Sequence, residues 1–206
     1  SVATVHGADG LVVESAWIHI SELSFVLAAN CALVDDDDDE VELPGPFVVQ
    51  LTDTTANIRD LLLGRSDYCG VELDLERAGR EVTVGAPPEL RRNTLVVTGH
   101  TPAGTPFVVV TQEEFELEVI SLTTPFMVDE LTNQLLLSFD VARWFETLDL
   151  DTLTPGDDGV IHVSLTENTP TLLLFEANVE AAMELARDAN GNGELDDEDE
   201  RLVSGD

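Results

Sequence analysis

The sequence predicts a mainly β protein: an antiparallel β-sandwich of the Ig or transthyretin kind, closed by one C-terminal amphipathic helix. Two observations carry that expectation. Apolar and polar residues alternate in short runs spaced about ten residues apart, as half-buried sandwich strands do. Near residue 171 the period changes, and apolar residues recur at helical spacing.

Residues 11–27 read as one long strand or two joined ones, with Ala16, Ile18 and Ile20 at alternate positions. Residues 35–40 are six consecutive acids, and like charges this dense favour a solvated loop. Pro44-Gly45-Pro46 is a break before a strand over residues 47–51. Residues 57–63 suggest a helical turn ended by Gly64. Residues 70–76 set Val71, Leu73 and Leu75 against Glu72, Asp74 and Glu76, a half-buried strand with an acidic outer face. Residues 80–93 are irregular. Residues 94–99 and 106–111 are β-branched, and the Pro and Gly between them favour a hairpin. Further strands are expected at 114–121, 126–128, 134–141 and 160–165, with a short helix at 142–148 holding Trp144 and Phe145 as core residues.

From 171 to 187, Leu172, Phe175, Val179, Ala182, Met183 and Ala186 form an apolar stripe, and Glu176, Glu180 and Glu184 are placed opposite it. Pro170 suits the helix start. There is no internal repeat or flexible linker. Residues 1–170 are therefore read as the sandwich, and 171–206 as a helix and terminal loop packed on the same domain.

Composition narrows the function. Of 206 residues, 42 are acidic and 9 basic, giving a formal charge of −33, and every basic residue is Arg. Such a surface repels nucleic acid and anionic membranes and attracts cations. Its self-repulsion calls for screening, which suits a saline or calcium-rich setting. No apolar run is long enough to span a membrane. The chain begins at Ser1 without Met, as a processed mature form would. Cys31 and Cys69 lack metal-ligand spacing, and the expectation is one disulfide formed in an oxidising compartment. It would close a loop of about forty residues, worth about 3–4 kcal/mol.

The clearest chemistry lies at residues 188–199. Calcium takes six to eight oxygen ligands, which a twelve-residue loop supplies from alternating positions. Asp188, Asn190 and Asn192 stand at positions one, three and five, and Gly193 at six permits the sharp turn. Glu194 at seven offers its carbonyl, Leu195 at eight anchors the loop, Asp196 at nine binds through water, and Asp199 closes at twelve. The loop resembles that of the EF-hand, and more closely the dockerin type with its Asp at twelve. Few residues follow to form an exit helix. The expected cofactor is Ca2+, with affinity on the order of 0.1–1 mM.

Other chemistry is less organised. His6, His19, His100 and His162 are scattered but could converge in space on a transition metal. No nucleophile motif frames a Ser. Carboxylate pairs are too common here to single out a hydrolase.

Several phrases together resemble the DUF4382-like β-sandwich group of bacterial secreted proteins and lipoproteins: residues 11–25, Gly45-Pro46-Phe47-Val48-Val49-Gln50-Leu51, Thr98-Gly99 with Gly104-Thr105-Pro106-Phe107, residues 137–145 with Asp140-Val141-Ala142-Arg143-Trp144-Phe145, and the terminal helix with its Asp/Asn/Gly loop. The resemblance implies a secreted or cell-envelope location, lipid-anchored or free, and carries no catalytic residues. The functional expectation is a non-enzymatic calcium-stabilised module for adhesion, assembly or surface structure, such as a filament or surface-layer subunit. Its partner would be a surface protein, a glycan or another copy of itself. The alternatives are a histidine-based transition-metal protein and a hydrolase with acidic catalytic residues.

Overall fold

The computed structural model describes residues 5–6, 10–28, 40–52, 63–80, 85–121, 125–128, 135–187 and 200–204. The described chain is mainly β. Its strands are β1 (Val5–His6), β2 (Val12–Leu27), β3 (Glu40–Gln50), β4 (Ser66–Leu75), β5 (Leu95–His100), β6 (Pro106–Thr111), β7 (Phe115–Ile120), β8 (Phe126–Val128), β9 (Leu135–Phe139) and β10 (Ile161–Val163). They are followed by the helix α1 (Thr169–Glu180) and by β11 (Met183–Arg187) and β12 (Glu200–Ser204). Nine strands form one curled sheet, and β9, β11 and β12 form a second, three-stranded one.

The 16-residue strand β2 organises the large sheet. On one flank it pairs with β3 from Trp17 to Val26. On the other it pairs first with β5, from Val12 to Ile18, and then with β4, from Ile20 to Leu27. The sheet therefore has two arms, β5–β6–β10 and β4–β7, sharing β2 and β3. The inward side chains of β2 are Val13, Ala16, Ile18, Ile20, Leu23 and Phe25. Two steps of three residues interrupt the period of two, and both coincide with register shifts, at Glu14 and at Ser21. A bulge adds one residue and re-phases the alternation, which keeps one face apolar along the whole strand.

Pro44-Gly45-Pro46 is not a break between elements but lies inside β3, opposite the Ser21 bulge. Neither Pro disrupts pairing there, because the register jumps from Phe47 to Pro44 at this point. A Cβ on Gly45 would stand 2.6 Å from the carbonyl oxygens of Ile20 and Ser21, so only glycine lets the two backbones meet. Glu40, expected in the acidic loop, instead opens β3 opposite Val26. Residues 53–62, which hold most of the suggested helical turn, lie outside the described residues.

The sheet is mixed rather than purely antiparallel: β10 runs parallel to β6, with His162 opposite Val108. Nearly fifty residues separate these strands, so no hairpin constrains their direction. By contrast β5 and β6 form the expected hairpin, with Gly104 at φ +84° in its turn.

The terminal helix is shorter than its periodicity suggested. It ends at Glu180, and Met183–Arg187 is a strand. The apolar residues of this stretch follow the helical period, but pairing of β11 with β9 on one side and β12 on the other overrides it. Nor is α1 cleanly amphipathic. Leu172, Phe175, Glu176 and Val179 face inward, whereas Leu173 and Leu174 are 60% and 53% exposed. Its inner face meets an aromatic cluster in which Phe145 lies 5.3 Å from both Phe107 and Phe175, and Trp144 lies 6.0 Å from Phe175. Trp144 and Phe145 belong to a single 3-10 turn, Arg143–Phe145, shorter than the expected helix. Asn178 pins α1 to it by donating to the carbonyls of Trp144 and Glu146, at 3.1 and 2.8 Å.

Candidate functional site

The candidate calcium ligands Asp188, Asn190, Asn192, Glu194, Asp196 and Asp199 lie outside the described residues, but their frame does not. Residues 188–199 connect β11 to β12, which pair antiparallel with Arg187 opposite Glu200. The twelve residues therefore leave from and return to one register pair. This corrects the expected setting: the segment is entered from a strand, not from a helix, and left through another strand. The flanking elements therefore differ from the helices that flank an EF-hand loop. The apolar side of β11 supplies Met183 and Leu185 to the main core, so the hairpin stem is anchored.

Cys31 also lies outside the described residues. Cys69 is fully buried on β4, beside Val26.

The histidines occupy different settings. His19 is buried on β2, with Nδ1 2.8 Å from the Glu76 carbonyl oxygen. A carbonyl only accepts, so Nδ1 carries the proton. His100 stands 3.4 Å from Glu14. His162 donates from Nε2 to Asp158 at 2.9 Å. The Val160 N–H, then the His162 ring, hold the Asp158 carboxyl below the usual range. His6 is a register partner of Val12, as is His100. Among the described residues no three His, Cys, Asp or Glu side chains come together to hold a metal.

Carboxylates are gathered on one arm instead. Strand register sets Glu42, Ser24, Glu72 and Glu118 in one row across β3, β2, β4 and β7. Glu22, Asp74 and Glu116 form the next row. Directly opposed residues on one face have Cβ atoms about 4.5–5.5 Å apart, so the pairs Glu72–Glu118 and Asp74–Glu116 repel. The alternating acids are visible in sequence, but their stacking depends on strand pairing. Asp74, Glu116 and Glu118 are exposed on an open sheet face, without the enclosure that a paired acid and base use.

One carboxyl is unlike these. Glu176, expected on the outer side of the helix, is 8% exposed and faces the sheet. Burial pushes its carboxyl up, a hydrogen bond from Thr111 pulls it down, and Glu113 and Glu180 push it up further. It lies between α1 and the end of β6.

No family model, curated protein or solved structure matches the chain. No helix among the described residues is long and apolar enough to cross a membrane.

Proposed function

We propose that this chain is a non-enzymatic β-sandwich module of the secreted or cell-envelope kind, akin to the DUF4382-like group, whose C-terminal hairpin is clipped by calcium. Its role is adhesion, assembly or surface structure, through a protein, a glycan or another copy of itself. A Cys31–Cys69 disulfide belongs to the same reading. The observation that carries it is the pairing of Arg187 with Glu200. Twelve residues bearing a calcium-type ligand order start and finish at one point of a β ladder, so one cation drawing ligands from both ends would reinforce that closure. Without a cation, the acids of the loop repel one another and oppose it.

Thermal melting in calcium tests this. If the affinity is on the order of 0.1–1 mM, 10 mM calcium stabilises the fold by about 1.5–3 kcal/mol, a rise of about 3–10 °C in Tm. Asp188→Ala abolishes most of that rise. An equal rise with magnesium, or an undiminished one in the variant, means general screening of the −33 charge and sinks the calcium reading.

A further inference from the structure

The inner face of α1 carries three apolar residues and one carboxyl, Glu176. Opposite it is Thr111, the fully buried last residue of β6. The Thr111 hydroxyl accepts the Glu113 N–H at 2.9 Å and donates its own proton to Glu176 Oε1. That hydroxyl is thereby committed on both sides, and it is the carboxyl's one described hydrogen-bond partner. The other charges nearby have the wrong sign: Glu113 in the turn after β6, and Glu180 one helical turn along α1. Arg143 and His162 lie on elements packed against α1. Neither pairs with Glu176, and His162 is engaged by Asp158. Arg77, near the β6–β7 turn, is engaged by Gln112 and Glu114. Among the described residues no cation pairs with Glu176.

We propose that Glu176 and Thr111 form a proton-operated latch between α1 and β6, closed when Glu176 is protonated and loosened when it ionises. An ionised carboxylate in an apolar interface must be compensated by donors or cations. Among the described residues this one has a single hydroxyl donor and two like charges beside it. The neutral acid keeps the apolar contacts of Leu172, Phe175 and Val179 without that penalty.

The sign follows from linkage. A folded-state value raised above the ordinary glutamate value of 4.5 means that the folded chain holds this proton more tightly than the unfolded one. The contribution to stability is fully present below the ordinary value and is lost as pH rises through the raised one. Docking of α1 is therefore tightest in mild acid and looser toward neutral pH.

Hydrogen exchange of the backbone amides of residues 169–180, followed across this range and corrected for intrinsic exchange, tests the latch on the full chain. High salt, about 1 M with a screening length of about 3 Å, suppresses the background from net charge. The wild type loses protection in α1 as pH rises, whereas Glu176→Gln retains it throughout. An identical loss in wild type and variant overturns the latch. A carboxyl carbon NMR titration of Glu176 in the wild type checks the same point without a variant. A midpoint at or below the ordinary glutamate range would falsify the proposal.

Discussion

The two arms of the large sheet share β2 and β3 yet present opposite surfaces. On the β4–β7 arm the outer face is a field of carboxylates: Glu22, Glu42, Glu72, Asp74, Glu116 and Glu118. On the β5–β6 arm the corresponding positions are Trp17, Ser15, Val96, Thr98, Val108 and Val110, with no charge among them. Coverage explains the difference. A second small core of Ala78, Leu90 and Val96 sits on the β5–β6 arm, with Trp17, Val48, Ala86, Val108 and Val110 packed around it. A charge there would lose its hydration, whereas Glu42, Asp74, Glu116 and Glu118 stay exposed on the β4–β7 face. On this sheet the described acids collect on the face that the rest of the described chain leaves less covered.

Three perturbations would break or sharpen that contrast, in decreasing order of effect. Leu90 is fully buried in the small outer core. Leu90→Ala should destabilise by about 2–5 kcal/mol in urea melts, as core truncations do. By comparison, Asp74→Ala on the open arm should fall within about 0.5 kcal/mol of neutral or be slightly stabilising. Equal costs would mean that the outer core does not distinguish the arms. Gly45 lies at the corner where both arms meet, and its missing Cβ would face the carbonyl oxygens of Ile20 and Ser21. Gly45→Ala should cost about 1–3 kcal/mol, since rigid backbone must move to admit the methyl. Hydrogen exchange would then show loosening in both β4 and β5; loosening in one alone would argue that the arms are mechanically separate. The smallest effect is expected from Glu116→Arg, which turns the opposed Asp74–Glu116 pair from repulsive to attractive. It should stabilise by about 0.2–1 kcal/mol at low ionic strength, with the gain shrinking as salt is added. A gain that persists in 1 M salt would point to packing rather than charge.

These contrasts also separate what can be read locally from what cannot. Short-range signals located most strands well: the 70–76 and 114–121 alternations correspond to β4 and β7, and the β5–β6 hairpin follows from its turn residues. The candidate calcium loop is legible as a pattern because its Asp, Asn and Gly residues are contiguous and ordered. Its setting was not, because a strand at Met183–Arg187 requires β9 as a partner, some fifty residues upstream. The position of Glu176 was misread. Leu172, Glu176 and Val179 are spaced to share a helix face, but a Glu among other acids reads as solvent-facing. Its partner Thr111 lies 65 residues away and leaves no sequence signal.

By itself the sequence determined a mainly β chain, an acidic composition, a late helix and an ordered run of oxygen-bearing side chains near the C-terminus. Each of these depends on residue type and on spacings of two to twelve positions, the range over which side chains act through their own backbone. The tertiary structure alone decided that Pro44-Gly45-Pro46 lies within a strand, that β10 runs parallel to β6, that the helix yields to β11, and that Glu176 is buried against Thr111. Those outcomes depend on which strands pair and which faces are covered. Pairing is non-local: it satisfies backbone groups and buries apolar surface between segments far apart in the chain, and it overrides local preferences worth only about 1 kcal/mol.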